Sequence, residues 1–183
     1  MLITDLGLNG VKLVHLKVHG DWRGYFMETY READWRPILG ARPFIQDNQS
    51  LSGHVGTLRG LHYQLAPAAQ GKLVQAVRGR IYDVAVDLRR SSATFGQHVG
   101  VELAAGDGKQ MFVPEGFAHG FVTLEADTIV TYKVTARYEP SLERGIAWND
   151  PDLAIAWPVT AGSAVLSDRD RRWPRLKDAS DLF

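Results

Sequence analysis

The sequence predicts an all-β protein, an antiparallel sandwich or barrel, and three observations support that prediction. Short runs rich in β-branched residues, several of them alternating apolar with polar side chains, recur along the chain. Glycine and proline break these runs at intervals of roughly ten residues, the spacing of strands joined by turns. Helix-like segments are few and short.

Val11 to Val18 is the first strand run. Arg31 to Leu39 reads as a short helix, although Pro37 has no backbone N–H to give and restricts its second half. Breaks follow at Gly53, Gly56 and Gly71. Leu73 to Arg78 and Arg80 to Leu88 are the next strands, with Gly79 alone between them, which requires a tight turn or a bulge. In the second of these, Tyr82, Val84, Val86 and Leu88 share one face while Asp83 and Asp87 point the other way. Val99 to Leu103 and Thr128 to Val134 complete the set, set off by Gly96, Gly106, Gly108 and the pair Pro114 and Gly116. A second helix is expected from near Ser167 toward the C-terminus, because Ser167 with Asp170 three positions on has the spacing of a capping box. The part from Trp148, richer in Pro, Trp and Asp, is expected to pack over the outside of the barrel. With no low-complexity linker and no internal repeat, residues 1–183 read as one domain.

Composition excludes several function classes. Lys plus Arg and Asp plus Glu both number 21, so the net charge of zero argues against broad binding to nucleic acid. No run is apolar for the roughly 18 residues of a membrane span. There is no cysteine, which removes disulfides, thiolate metal sites and Cys nucleophiles. The residues Met1 to Asp5 do not read as a signal peptide, so a cytoplasmic protein is expected.

The chemistry concentrates in Arg59-Gly60-Leu61-His62-Tyr63-Gln64 and Gln70-Gly71-Lys72-Leu73-Val74-Gln75. An anion clamp, a proton-transfer group and a cation that can stabilise developing negative charge suit a phosphorylated substrate with a carbonyl group. Strand parity adds a constraint. Arg59 and His62 are three positions apart and would face opposite ways on a regular strand, so a shared pocket requires a bulge at Gly60 or a strand that begins there. His119 follows a Gly-punctuated stretch, Val113 to Gly116, that reads as a turn delivering a histidine onto the start of a strand. Tyr132 shares a face with Val130 and Val134; an aromatic there is usually core, but its hydroxyl needs a partner and could act as an acid. None of the six histidines forms a His-x-His pair or a His-Glu-x-x-His arrangement, so no metal site is expected, although strands can gather scattered ligands. On spacing alone, Asp170 is a helix cap.

Taken in order, the Arg59 and Gln70 runs, Asp83 to Arg89, Thr94-Phe95-Gly96, Pro114 to Phe121 and Trp148-Asn149-Asp150-Pro151 closely resemble the dTDP-4-dehydrorhamnose 3,5-epimerase family, from about Gly20 to Asp170. The resemblance implies a cupin-type jelly-roll β-barrel with a few short peripheral helices, a homodimer, and no metal or organic cofactor. The implied substrate is a dTDP-4-keto-6-deoxy sugar nucleotide, dTDP-4-dehydro-6-deoxy-D-glucose, whose C4 ketone acidifies the hydrogens on carbons 3 and 5. By the same resemblance His62 is the base, Tyr132 the proton donor, Asp170 the carboxylate orienting the histidine, and Lys72 a substrate contact suited to the enolate oxygen. Arg23, Phe26 and Glu28, with Gln46, Asp47, Asn48 and Arg59, match the nucleotide-binding residues, and the N-terminal three could be lent by a partner subunit. His119, Glu143 and Arg169 match further substrate positions. Three features depart from the pattern: Gln49 where His is common, a loop from Ser50 to Leu58 about one residue longer, and Arg169 where Lys commonly precedes the dyad Asp. The alternatives are an epimerase acting at carbon 3 alone, a metal-dependent cupin enzyme, and a carbohydrate-binding jelly roll without catalysis.

Overall fold

Leu2–Asp5 (β1), Lys12–His15 (β2), Gln46–Ser52 (β5), Lys72–Arg78 (β7), Lys109–Val113 (β10) and Thr128–Val134 (β12) form one antiparallel sheet in the computed structural model, which describes residues 1–183. Its spatial order is β1-β2-β10-β7-β12-β5. Leu58–Gln64 (β6), Arg80–Asp87 (β8), His98–Ala104 (β9), Phe117–Thr123 (β11) and Glu143–Gly145 (β13) form the second, in the order β13-β6-β11-β8-β9. The two sheets face each other as a jelly-roll barrel of cupin type. His19–Asp21 (β3) and Gly24–Phe26 (β4) pair only with each other, as a hairpin belonging to neither sheet.

Gly79, with φ of +72°, turns the corner between β7 of one sheet and β8 of the other. A residue there must adopt the left-handed conformation, and a Cβ would stand 2.3 Å from the Thr128 hydroxyl. Between the sheets lies a core that includes Val74, Ala76, Ile81, Ala85, Met111, Phe117, Phe121 and Val130. The outer faces are covered as well. Glu32–Leu39 (α1) presses Trp35 onto Val14, Leu73 and Phe112 of the six-stranded sheet. The C-terminal segment lays Leu153 and Ile155 over Val84, Val86 and Leu88 of the five-stranded sheet, as expected for the part from Trp148. Each such fully buried side chain contributes about 1.5–3 kcal/mol.

Two expectations need correction. The Val11 to Val18 run is a strand only over Lys12–His15, after which the chain leaves the sheet for the β3–β4 hairpin. The helix expected from Ser167 does not form; the segment is turns, with a single 3-10 turn at Leu176–Asp178. The capping contacts are present, since the Asp170 N–H donates to Ser167 Oγ at 3.1 Å. Pro174 stops propagation, and the Asp170 carboxylate is turned inward to a partner on β6. The helix at Arg31 to Leu39 is observed within one residue. Along β8 the apolar and acidic faces alternate as read, but neither faces solvent: Asp83 and Asp87 are fully buried.

Candidate active site

One end of the barrel opens into a cleft of about 440 Å³ between the sheets. The five-stranded sheet supplies Arg59 and His62 from β6, His119 from β11 and Glu143 from β13. The six-stranded sheet supplies Gln46 and Asn48 from β5, Lys72 from β7 and Tyr132 from β12. Arg169 and Asp170 reach in from the C-terminal segment.

Gly60 resolves the parity problem on β6. Opposite β11, Arg59 pairs with Phe121 and His62 with His119, so three steps on β6 match two on β11. That is a one-residue bulge, and it brings both side chains into the cleft. Gly60 has φ of +126°, and a Cβ there would lie 2.6 Å from Gly120 Cα, so no other residue fits.

His62 Nε2 lies 2.5 Å from Asp170 Oδ1, which leaves Nδ1 as the ring nitrogen free for proton transfer. Burial pushes the Asp170 carboxyl up, but the hydrogen bond and charge of His62, with donors from Ser167 and Trp173, outweigh it and hold the group below its ordinary value. Beneath the histidine, Lys72 Nζ donates to the His62 carbonyl at 3.2 Å. Lys72 is almost fully buried, and burial lowers it to about 8 against the opposing pull of Glu143 and Asp83. Burial raises the Tyr132 phenol; nearby Arg59 opposes this and Glu143 adds to it. The phenol therefore holds its proton at neutral pH.

Gln46 Nε2 donates to Asn48 Oδ1 at 2.8 Å, and both line the cleft with Ser50 on alternate positions of β5. Arg59 is braced by Ser52 Oγ at 3.2 Å and the Leu51 carbonyl at 3.1 Å. Arg169 and Tyr138 both donate to Glu143 Oε2 at the cleft mouth, the Tyr138 bond being 2.8 Å.

Four of the residues expected at the site lie outside the cleft of a single chain. Asp47 falls on the opposite face of β5 from Gln46 and Asn48, as strand alternation demands, and pairs with Lys133 at 2.9 Å. The departure at Gln49 shares that outward face. Arg23, Phe26 and Glu28 sit on or next to the β3–β4 hairpin. Arg23 is held by Asp21 at 2.6 Å, Glu28 by Arg31 at 2.9 Å, and Phe26 is 71% exposed.

Other residues in or behind the cleft receive no site role from the sequence. Asp83 accepts from His119 Nε2 at 2.7 Å while its Oδ2 has no partner. An acid in an apolar strand is a signal for this, since a buried carboxylate needs a partner. Ser167 is marked only as the cap partner of Asp170, and Trp173, Tyr138 and Gly145 carry no comparable mark. No three His, Asp or Glu side chains converge as metal ligands.

A His–Asp pair and a phenol from facing sheets, with a buried lysine and amide and guanidinium groups lining the same cleft, form the kind of arrangement that acid–base isomerisation of a substrate with an acidic C–H requires. The chain matches the family described as dTDP-4-dehydrorhamnose 3,5-epimerase over residues 5–178 and belongs to it. It is 48% identical to the dTDP-4-dehydrorhamnose 3,5-epimerase of Sinorhizobium fredii over 96% of this chain and 90% of that protein. The crystal structure of a dTDP-6-deoxy-D-glucose-3,5-epimerase from Legionella pneumophila, in complex with dTDP-4-keto-L-rhamnose, superposes with a TM-score of 0.92 at 41% identity, covering 98% of this chain and 94% of that one. A 3'-monoepimerase from Streptomyces bikiniensis in complex with dTDP-quinovose is similar at a TM-score of 0.87 and 35% identity, over 94% of this chain and 86% of that one.

Proposed function

We propose that this enzyme inverts carbons 3 and 5 of dTDP-4-dehydro-6-deoxy-D-glucose to give dTDP-4-dehydro-L-rhamnose, within dTDP-L-rhamnose biosynthesis. The observation that carries the reading is the placement of the His62–Asp170 pair and Tyr132 on opposite sheets, lining the same cleft. A hexose ring between them offers one face to each. His62 Nδ1 takes the proton from the carbon next to the ketone, and the electron pair moves into the enolate with charge on O4. Lys72, cationic below a pH of about 8 and bonded to the His62 carbonyl, is a buried charge that can hold that oxygen. Tyr132 returns a proton to the other face, leaving the carbon inverted. Proton exchange with solvent then returns His62 to its neutral form and Tyr132 to its phenol, and the same cycle at the second carbon completes the reaction.

Arg59 clamps a phosphate oxygen, and Gln46 and Asn48 meet the nucleotide with paired donors and acceptors. His119, Glu143 and Arg169 contact the sugar end. In this reading the working enzyme is a homodimer, in which Arg23, Phe26 and Glu28 complete the partner's cleft. Its support is the exposure of Trp22, Tyr25 and Phe26 on a hairpin that no sheet of its own chain holds. The reading also takes residues 1–183 as one domain, because the C-terminal segment supplies Asp170 to a dyad with β6. No helix is long and apolar enough to cross a membrane; a cytoplasmic location goes with the nucleotide-sugar substrate.

Incubation with the substrate in deuterated water, followed by NMR of the sugar ring, tests the function. Deuterium at both carbons 3 and 5 is expected. Label at carbon 3 alone assigns the protein instead to the narrower activity named for its Streptomyces bikiniensis relative.

A further inference from the structure

Asp170 is held by more than His62. Ser167 Oγ donates to Oδ2 at 2.8 Å, and the indole Nε1–H of Trp173 donates to Oδ1 at 3.3 Å, the oxygen that also faces His62 Nε2. The Trp173 ring stands edge-on to the imidazole, with ring centroids 6.1 Å apart and planes at 71°. It can stand there because of Gly145, the β13 residue paired with His62 across the ladder. A Cβ at Gly145 would lie 2.4 Å from the indole ring. Gly145 has no positive φ that would require glycine, so the space for the indole is what its missing side chain provides.

We propose that Trp173, seated in the gap left by Gly145, is a positioning residue for the His62–Asp170 pair: its N–H takes a share of Oδ1 and so limits how strongly the carboxylate holds a proton on the histidine. The inference rests on His62 being the base, as proposed above. Ser167 keeps the carboxylate in place through Oδ2, so loss of the indole N–H changes the electron demand on Oδ1 rather than the location of Asp170. The other titratable groups facing the cleft with the imidazole are Lys72 from β7, His119 from β11, Glu143 from β13, Arg169 from the C-terminal segment, Tyr132 from β12, Tyr138 from the segment after β12 and Arg59 on its own strand. Trp173 makes no hydrogen bond to any of them, so its removal leaves them as they are.

Trp173→Phe keeps an aromatic ring in the gap and removes the donor together with part of the indole. With Oδ1 left to His62 alone, the acid limb of kcat/KM is expected to move up by about half a pH unit, with kcat reduced several-fold at neutral pH and KM unchanged. Gly145→Ala, which pushes the indole away, should move the limb in the same direction. A limb that stays in place or moves down in Trp173→Phe overturns the proposal, even if kcat falls. NMR of the ligand-free parent enzyme gives a measurement that needs neither a variant nor turnover. The Trp173 indole N–H signal should shift with pH in step with the His62 ring signals, and an indole signal that ignores the histidine overturns the proposal on its own. If that coupling is present but no deuterium enters the sugar, the proposed reaction fails while the indole–dyad link stands.

Discussion

Two histidines on neighbouring strands line the cleft, each paired with an aspartate, and the two pairs are built differently. His62 and His119 are register partners across β6 and β11. The partner of His62 comes from a segment 108 positions away, and its carboxylate also accepts from Ser167 and Trp173. The partner of His119 is on β8, the strand beside it in the same sheet, fully buried, with one oxygen on the imidazole and the other unpartnered. A carboxylate surrounded by donors has its charge well compensated, and it can orient a base that gains and loses protons. One with a bare oxygen in the barrel interior acts outward instead, through its field on nearby cations. Asp83 is one of the two groups that pull Lys72 upward against its burial. Under the proposed function, the difference suits the first pair to proton transfer and the second to electrostatic support of the developing oxyanion.

That division can be broken at its strongest point first. His62→Ala should reduce turnover and deuterium wash-in by roughly 10³–10⁴, while nucleotide-sugar binding, measured by calorimetry, persists. Retention of more than a tenth of the activity would show that the second pair can serve as the base. Tyr132→Phe removes the proton donor on the facing sheet. Inverted product should fall about 10²–10³-fold, with deuterium exchange into recovered substrate falling less, because His62 can still take and return a proton on its own side.

Lys72→Met tests the oxyanion side and has two readouts. Turnover should fall about 10²-fold, and the alkaline limb near pH 8 should disappear with the ammonium group. Stability should move the other way. The folded Lys72 titrates near 8 against an ordinary value of 10.5, so below pH 8 the fold carries the cost of a buried charge. Between those values the unfolded chain binds the extra proton and stability rises with pH. Urea unfolding should therefore find Lys72→Met more stable than the parent at pH 7, by on the order of 1–3 kcal/mol, with the gap narrowing as pH approaches 10.5. A less stable variant would mean that the contact to the His62 carbonyl outweighs desolvation.

The same contrast explains what could be read from the chain. Strand periodicity and turn glycines mark β7, β8, β9, β12 and, within an overlong run, β2, and the three-residue offset between Arg59 and His62 predicts the Gly60 bulge, because both are local features. Asp83 lay in plain view as an acid in an apolar strand, yet alternation shows only that it leaves the Val84 face, and not that the face it joins is also buried. The expected helix at Ser167 failed for a related reason. The cap spacing is real and its hydrogen bonds form, but the pairing of Asp170 with His62, together with Pro174, keeps a helix from growing beyond the cap. Motif matching placed Asp47 with Gln46 and Asn48 although strand parity puts it on the other face, so three adjacent residues that match a pattern need not line one cleft. Trp173 and Gly145 act through space left empty, and no residue pattern marks a space.

The smallest expected effect separates the two pairs most sharply. Asn is nearly isosteric with Asp, so in Asp83→Asn the His119 Nε2–H can still donate to the amide oxygen and the ring stays in place. What is lost is one negative charge in the barrel. Lys72 then keeps only Glu143 to oppose its burial, and its titration moves further below 8. The alkaline limb of kcat should shift to lower pH by a fraction of a unit, with turnover at pH 7 down roughly tenfold at most. Stability should hold or rise, because an amide costs less to bury than a carboxylate with a bare oxygen. Asp170→Asn offers the direct contrast. There the donors of Ser167, Trp173 and His62 lose a charged acceptor, so stability should fall by about 1–3 kcal/mol and the acid limb, not the alkaline one, should move. If both substitutions moved the same limb in the same direction, the two carboxylates would be doing one job, and the division between proton transfer and oxyanion support would be lost.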